Sequence, residues 1–420
     1  MSFDRVALRP ARILLPAPSV PRETWACIAC DQYTSEPEYW RKAFETAGDA
    51  PSALRLILPE VYLKESAARI PVIHDIMARY LREGLLTPAV DPGFILCERT
   101  VPSGTRLGLV CAVDLEQYSF EKGSLPLVRP TEQTITDRLP PRLKIRRGAP
   151  VELTHIMILI DDPDRTVLEP LQASKNSLRK VYDFDLMMGG GHLAGWAVDS
   201  PEQLARVDNT LNALMDTKGD HPLLLAVGDG NHSLATAKAY WNEIRESIPE
   251  EERASHPARF ALCEIVNIHD EALLFEPIYR IVTGTDRAAV MADWKTYAEA
   301  KGMRLAADGS DHRFTVISAD GEESVAVLNP EGAIPCETIQ KFLDDFLSRH
   351  PEAGIDFIHG EGSLRTLAAK PQTVGFLLPE IDKHTFFKDV EKLGVLPRKT
   401  FSMGEADEKR FYMEAKSIQE

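Results

Sequence analysis

Asp229, Asn231, His232 and Ser233 crowd into one turn of the chain, inside the stretch LLLAVGDGNHSLATAKA that runs from Leu223 to Ala239. A carboxylate there offers a base or a metal ligand, and an imidazole can move a proton. The apolar run Leu223 to Val227 predicts a buried strand. Gly228-Asp229-Gly230-Asn231 then breaks the pattern, and His232 to Glu243 predicts a helix. A Gly-rich passage from strand to helix leaves unpaired amides at the positive end of the helix dipole, a setting suited to phosphate or carboxylate. The same turn also admits a local role, with Asp229 or Asn231 capping the helix for about 1 kcal/mol. It is neither a Walker A loop nor a dinucleotide fingerprint, because the third glycine and a Gly-Lys-Ser/Thr are missing.

A bound phosphate needs counter-charge. The segment RLPPRLKIRR supplies Arg138, Arg142, Lys144, Arg146 and Arg147, and an arginine can grip phosphate through two parallel hydrogen bonds. A solvated basic edge is the alternative for this cluster, as it is for Arg398-Lys399. Glu132, in the loop just before the cluster, has the chemistry to orient Mg²⁺ or to take a proton from a hydroxyl. Cys27 and Cys30 form the one close-spaced cysteine pair among six, and no second pair completes a zinc site, so structural thiols are expected. Gly189 to Gly191 reads as a mobile lid or a plain linker.

Several elements must position these groups. Ser35 is a plausible cap for a helix that begins near Pro37, and Leu54 to Leu58 reads as a short strand stopped at Pro59. Ala67 to Glu83 carries a helical period. Strands are expected at Gly93–Cys97, Arg106–Asp114, His155–Ile160 and Arg259–Asn267, and a helix at Pro201–Met215. Pro140 and Pro141 predict a broken rather than a smooth helix across the basic segment. From about residue 283 the texture changes to a helix, a hairpin turning at Asp320-Gly321 and an amphipathic helix through Ile339–Leu347.

The chain has 420 residues, 44% of them apolar and 27% charged, enough for two or three globular domains. Its formal net charge of −16 disfavours bulk attraction to nucleic acid or anionic lipid. Apolar runs are far shorter than a membrane span and the N-terminus has no apolar core of signal-peptide length, so a cytoplasmic protein is expected.

The order of the pieces carries a resemblance. Cys30-Asp-Gln-Tyr-Thr-Ser-Glu-Pro-Glu-Tyr-Trp40, Leu56-Ile-Leu-Pro-Glu60, Thr131-Glu-Gln-Thr134 with Asp137-Arg-Leu-Pro-Pro-Arg142, Val227-Gly-Asp-Gly-Asn-His-Ser233 and Phe401-Ser-Met-Gly-Glu405 together resemble the domain-of-unknown-function 1015 family of prokaryotic proteins. That label carries no established reaction. Over some forty residues the central turn is also similar to one shared by ParB-type proteins, sulfiredoxin and an archaeal ADP-dependent serine kinase, where a Gly-x-His-Arg turn entering a helix binds nucleotide phosphate. The resemblance implies that Gly230, Asn231 and His232 contact phosphate, with Gly228 and Ser233 in the same turn and Asp229 beside them as a metal or proton-handling group. Ser233 stands where that wider group usually has Arg, so Arg138 or Arg142 is expected to supply the missing charge.

The expected fold is therefore α/β (α+β), a mixed sheet with a ParB/sulfiredoxin-like phosphate-binding core in residues 1–282. A smaller α+β domain follows at 283–370, and a C-terminal segment, 371–420, returns to the core. The expected activity is Mg²⁺-dependent transfer or hydrolysis of a phosphoryl group on a nucleotide or a phosphorylated small molecule, with Asp229, His232 and Glu132 catalytic and Asp229 on the metal. The alternative is a non-catalytic binding or scaffold protein that senses a phosphorylated ligand. Oligomeric state is not legible in the sequence.

Overall fold

A computed structural model describes residues 3–121, 123–134, 139–219, 222–309, 312–397 and 399–419. Arg138 and Arg398 lie outside the described residues. The chain forms two compact units, Met1–Leu274 with Gly404–Glu420, and Phe275–Met403.

The first unit is built on a large mixed sheet. Its principal strands are β1 (Ala11–Pro16), β2 (Leu86–Val101), β3 (Gly104–Asp114), β4 (Val128–Arg129), β5 (Val151–Leu153), β6 (Met157–Ile160), β7 (Leu225–Asp229), β8 (Phe260–Asn267) and β9 (Ala415–Ser417). They run in the order β4-β7-β6-β8-β3-β2-β1-β9-β5, with Leu8–Arg9 added on β3 and the hairpin Arg179–Asp185/His192–Val198 on β2. The β4/β7 and β6/β8 pairs are parallel, and the other neighbours on this path are antiparallel. Along the path β5 is six strands from β6, roughly 29 Å if the sheet were flat. In sequence only Thr154 to Ile156 separate them, and that link reaches roughly 15 Å. The sheet must therefore curl until its β5 edge returns to the middle, and His155 sits in the closing link.

The curl encloses charge. Glu152, on β5, accepts from Arg146 Nη2 at 2.7 Å and from the Leu262 amide of β8 at 2.8 Å, and Lys416 Nζ lies 3.5 Å away. Burial alone would push this carboxyl up, but the two cations and the amide outweigh it and hold the group below the usual carboxylate range. A carboxyl depressed by folding stabilises the fold above its unfolded value of about 4.3, and loses that contribution as pH falls through the folded value. Glu152→Gln is thus expected to cost about 1.5–3 kcal/mol at pH 7. The gap to wild type should narrow as pH falls below about 4.3 and close only below the depressed folded value, where both side chains are neutral. Urea denaturation at pH 7 and through the acid range checks this.

The helices of this unit include α1 (Ser66–Arg82), α2 (Leu139–Arg146) and α3 (Asn231–Ile244). The basic segment is helical despite its prolines, because Pro140 and Pro141 fall in the first turn of α2, where no amide partner is lost. This corrects the broken helix expected from sequence. The strand expected at Leu54–Leu58 is instead a 3-10 turn, Ala53–Arg55, capped by Ser52 Oγ accepting from the Leu54 amide, followed by buried Leu56 and Leu58. Those residues are apolar because they are buried, not because they pair in a sheet. The helix Pro37–Ala47 starts at Glu36 without a side-chain cap, so Ser35 does not serve as one. Gly190 and Gly191 are no lid: added Cβ atoms would lie 2.4 Å from the Phe411 ring and 2.1 Å from the Thr100 carbonyl oxygen. They permit close packing at the tip of the Arg179–Asp185/His192–Val198 hairpin.

The second unit has its own six-stranded antiparallel sheet, including the expected hairpin His312–Ser318/Gly321–Leu328. One core gathers Trp294 with Phe342 and Phe346 from the helices Arg287–Ala300 and Pro335–Arg349. A smaller cluster gathers Leu364 and Ala368 of Glu361–Ala368 with Ile281 and Ile317. No helix among the described residues is long and apolar enough to cross a membrane.

Candidate functional site

Strand β7 delivers the chain to the turn with an irregularity. Its register against β6 slips between Val227 and Asp229, which leaves Gly228 in a bulge. Gly230 has φ of 81°, and a Cβ there would approach the Ile156 Cα to 3.1 Å, so glycine is required both by conformation and by space. Asn231 opens α3, but its side chain faces another loop. Its Oδ1 accepts from the Thr131 amide at 3.3 Å, its Nδ2 donates to Thr131 Oγ1 at 3.2 Å, and Thr131 in turn donates to the Val227 carbonyl at 2.5 Å. The Asn231 side chain is a clamp on the loop that carries Glu132. The start of α3 keeps its dipole end toward the closing link and the C-terminal segment.

The C-terminal segment supplies groups that the turn lacks. Phe411–Tyr412 pairs with Cys27–Ile28, and the Ala29 amide donates to the Arg410 carbonyl at 3.0 Å. This ladder sets Lys409 and Tyr412 beside Cys30 and Asp31. Lys409 Nζ lies 3.5 Å from Asp229 Oδ2, while Asp229 Oδ1 accepts from the Gly230 amide at 2.8 Å. Asp31 comes from a loop fixed by stacking of Tyr33 on Tyr39 at 3.8 Å and by Trp40 Nε1 donating to the Tyr33 carbonyl.

His155 stands at the centre. Its Nε2 is 3.1 Å from Ser233 Oγ and 3.7 Å from Asp31 Oδ2, and its Nδ1 is 2.6 Å from the Tyr412 hydroxyl. Tyr412 donates to Cys30 Sγ at 3.1 Å, so its oxygen is left to accept from Nδ1–H. In the neutral ring Nε2 then accepts from Ser233, and a proton added at Nε2 faces Asp31. Burial would raise the Asp31 carboxyl, but His155, the Gln32 side chain and Lys409 outweigh it and keep the group ionised well below neutral pH. Cys30 behaves oppositely: burial and the Asp31 charge push its thiol up to about 12. Cys27 is raised by burial as well, so neither is a nucleophilic thiolate near neutral pH.

A cleft opens from this cluster. It holds about 150 Å³ of space and is lined by His155, Ser233, Tyr412 and Cys30 together with Arg142 and Glu60. Arg142 is thus near the turn's helix, but its guanidinium is paired with Glu60 of the Leu56–Glu60 motif. His232 is half-buried at the second position of α3, and its carbonyl accepts from Thr236 at 2.7 Å. Glu132 is half-buried next to the clamped Thr131.

Mg²⁺ takes octahedral oxygen ligation, and the oxygens of Asp229, the expected ligand, already face an amide and an ammonium. Among the described residues no three His, Cys, Asp or Glu side chains converge as a metal site. Sequence reasoning missed Asp31, His155, Tyr412 and Lys409. His155 was visible only as the edge of an apolar run, and Lys409 as one charge in a mixed tail.

Comparison with known proteins gives a family and several distant solved structures, of which three follow. The family described as "Protein of unknown function (DUF1015)" matches residues 8–346. No curated protein matches the chain. A free serine kinase in complex with AMP is similar at a TM-score of 0.39 and 11% identity, over 74% of this chain and 92% of that one. A conserved hypothetical protein from Pyrococcus furiosus gives 0.38 and 12%, over 74% and 95%. SbnI from Staphylococcus aureus, truncated at its C-terminus, gives 0.39 and 10%, over 74% and 87%. Identity and TM-score are too low for any of these proteins to speak for this chain's chemistry.

Proposed function

We propose, for a chain that belongs to the DUF1015 family, that the start of α3 binds the phosphate of a nucleotide or phosphorylated metabolite and that Asp31 and His155 act on it. The observation that carries this is the convergence at one helix start of Lys409, His155 and an ionised Asp31, drawn from three distant segments. The helix amides and the Lys409 ammonium neutralise phosphate charge, which is most of what phosphoryl transfer requires. Lys409 takes the place of the arginine that Ser233 replaces in the resembling turns. Asp229 positions Lys409 and the Gly230 amide.

In the transfer step an acceptor hydroxyl, from a small molecule or water, attacks phosphorus while the bond from phosphorus to the leaving oxygen breaks. The hydroxyl proton passes to the Asp31 carboxylate, and His155, when protonated at Nε2, gives a proton to the leaving oxygen. No step is routed through a metal.

Lys409→Met tests the anion site. Loss of a charge-assisted contact is expected to weaken inorganic phosphate binding by about tenfold or more, read by calorimetric titration. Equal binding by wild type and variant would remove Lys409 from the site. A second reading is a phospholigand sensor, favoured by the ion pair that Lys409 already makes with Asp229. It is distinguished by binding without release of phosphate from a donor.

A further inference from the structure

The cleft beside His155 and Ser233 has two kinds of wall. One end is polar, with His155, Ser233, Tyr412 and Cys30. The body is apolar, with Leu56, Leu58, Leu63, Met77, Ile145 and Leu153 among its lining residues. The charges along that body are paired with one another: Arg142 with Glu60, and Arg146 with Glu152. The walls come from the Leu56–Glu60 motif with α1, from the run of α2, β5 and the closing link, from the start of α3 and from the C-terminal segment, four groups far apart in sequence.

We infer that this cleft selects the body of the ligand whose phosphate sits at α3, and that this body is uncharged and of low polarity: the ligand is a phosphate monoester carrying a nucleobase or a hydrocarbon group rather than a polyol. This rests on the phosphate site proposed above. A charged or heavily hydroxylated body would give up its hydration against largely apolar walls whose carboxylates and guanidinium groups are already paired with one another. A low-polarity body loses little hydration and removes apolar surface from water. The position follows from continuity, because Ser233 and His155 line the cleft and also face the start of α3 and Asp31.

The test uses calorimetric titration of the full chain with inorganic phosphate, glycerol 3-phosphate, hexyl phosphate and AMP. Hexyl phosphate, AMP or both should bind at least about tenfold more tightly than glycerol 3-phosphate, and which of them does so names the body. Ala149→Phe and Leu63→Trp each add bulk to the cleft lining. In whichever of these folds, as shown by an unfolding transition, the preference should fall to about threefold or less while inorganic phosphate binds as in wild type. No preference in wild type, or a preference that survives in the filled variants, overturns the inference. Absence of phosphate binding would instead sink the anion site. The cleft is then judged with 1-hexanol: binding that is lost in the filled variants upholds its apolar selectivity, and no binding refutes it.

Discussion

Asp31→Asn is expected to lower turnover of a phosphate donor by about 10²- to 10⁴-fold, the usual contribution of a positioned proton acceptor. The same substitution should leave phosphate binding unchanged or make it tighter, because it removes a negative charge next to Lys409 and His155. That opposite movement separates a chemical role from a structural one. A carboxylate needed merely to hold the loop would weaken both together. The loop itself has other supports, the Tyr33–Tyr39 stack and the Trp40 hydrogen bond, so the variant is expected to fold. Release of inorganic phosphate, measured beside a phosphate titration, reads both quantities.

Arg410→Met is expected to cost about 3–5 kcal/mol, the effect of removing one partner from a buried ion network. Arg410 is enclosed, with Glu264 at 2.6 Å and Glu414 at 2.7 Å, and Glu414 also accepts from Tyr182 at 2.6 Å. Without the guanidinium two carboxylates remain buried with no cation between them. Arg410 also donates to the Thr154 carbonyl at 3.0 Å, one residue before His155, and it lies between Lys409 and the Phe411–Tyr412 strand. The network therefore sets the backbone on both sides of the site. A large fall in the urea midpoint is the expected result. Gly108 belongs to the same construction, since a Cβ there would meet Glu264 Oε1 at 2.2 Å.

The turn at Gly228–Ser233 is legible in the sequence because its signals are local: an apolar run, glycines that admit a sharp change of direction, and a helix behind them. Strand–turn–helix geometry follows from such a stretch with little help from the rest of the chain. Lys409, Asp31 and His155 leave no comparable trace. They meet at the turn because the curled sheet closes through Thr154–Ile156 and because Phe411–Tyr412 pairs with Cys27–Ile28, and both are long-range pairings. The basic segment shows the same limit in a milder form. Its arginines stand out in the sequence, and Arg142 does line the cleft, but Glu60, 82 residues earlier, decides what that guanidinium faces. Apolar content misleads at Leu54–Leu58, since burial beneath a cleft selects the same residues as a strand does.

The most direct measurement is the backbone amide spectrum of the isotope-labelled protein during titration with inorganic phosphate. The Asn231, His232 and Ser233 amide resonances are expected to shift together and to saturate, with smaller changes along the rest of α3. Unmoved resonances at those three positions, at phosphate concentrations that perturb other amides, would contradict an anion site at the start of this helix.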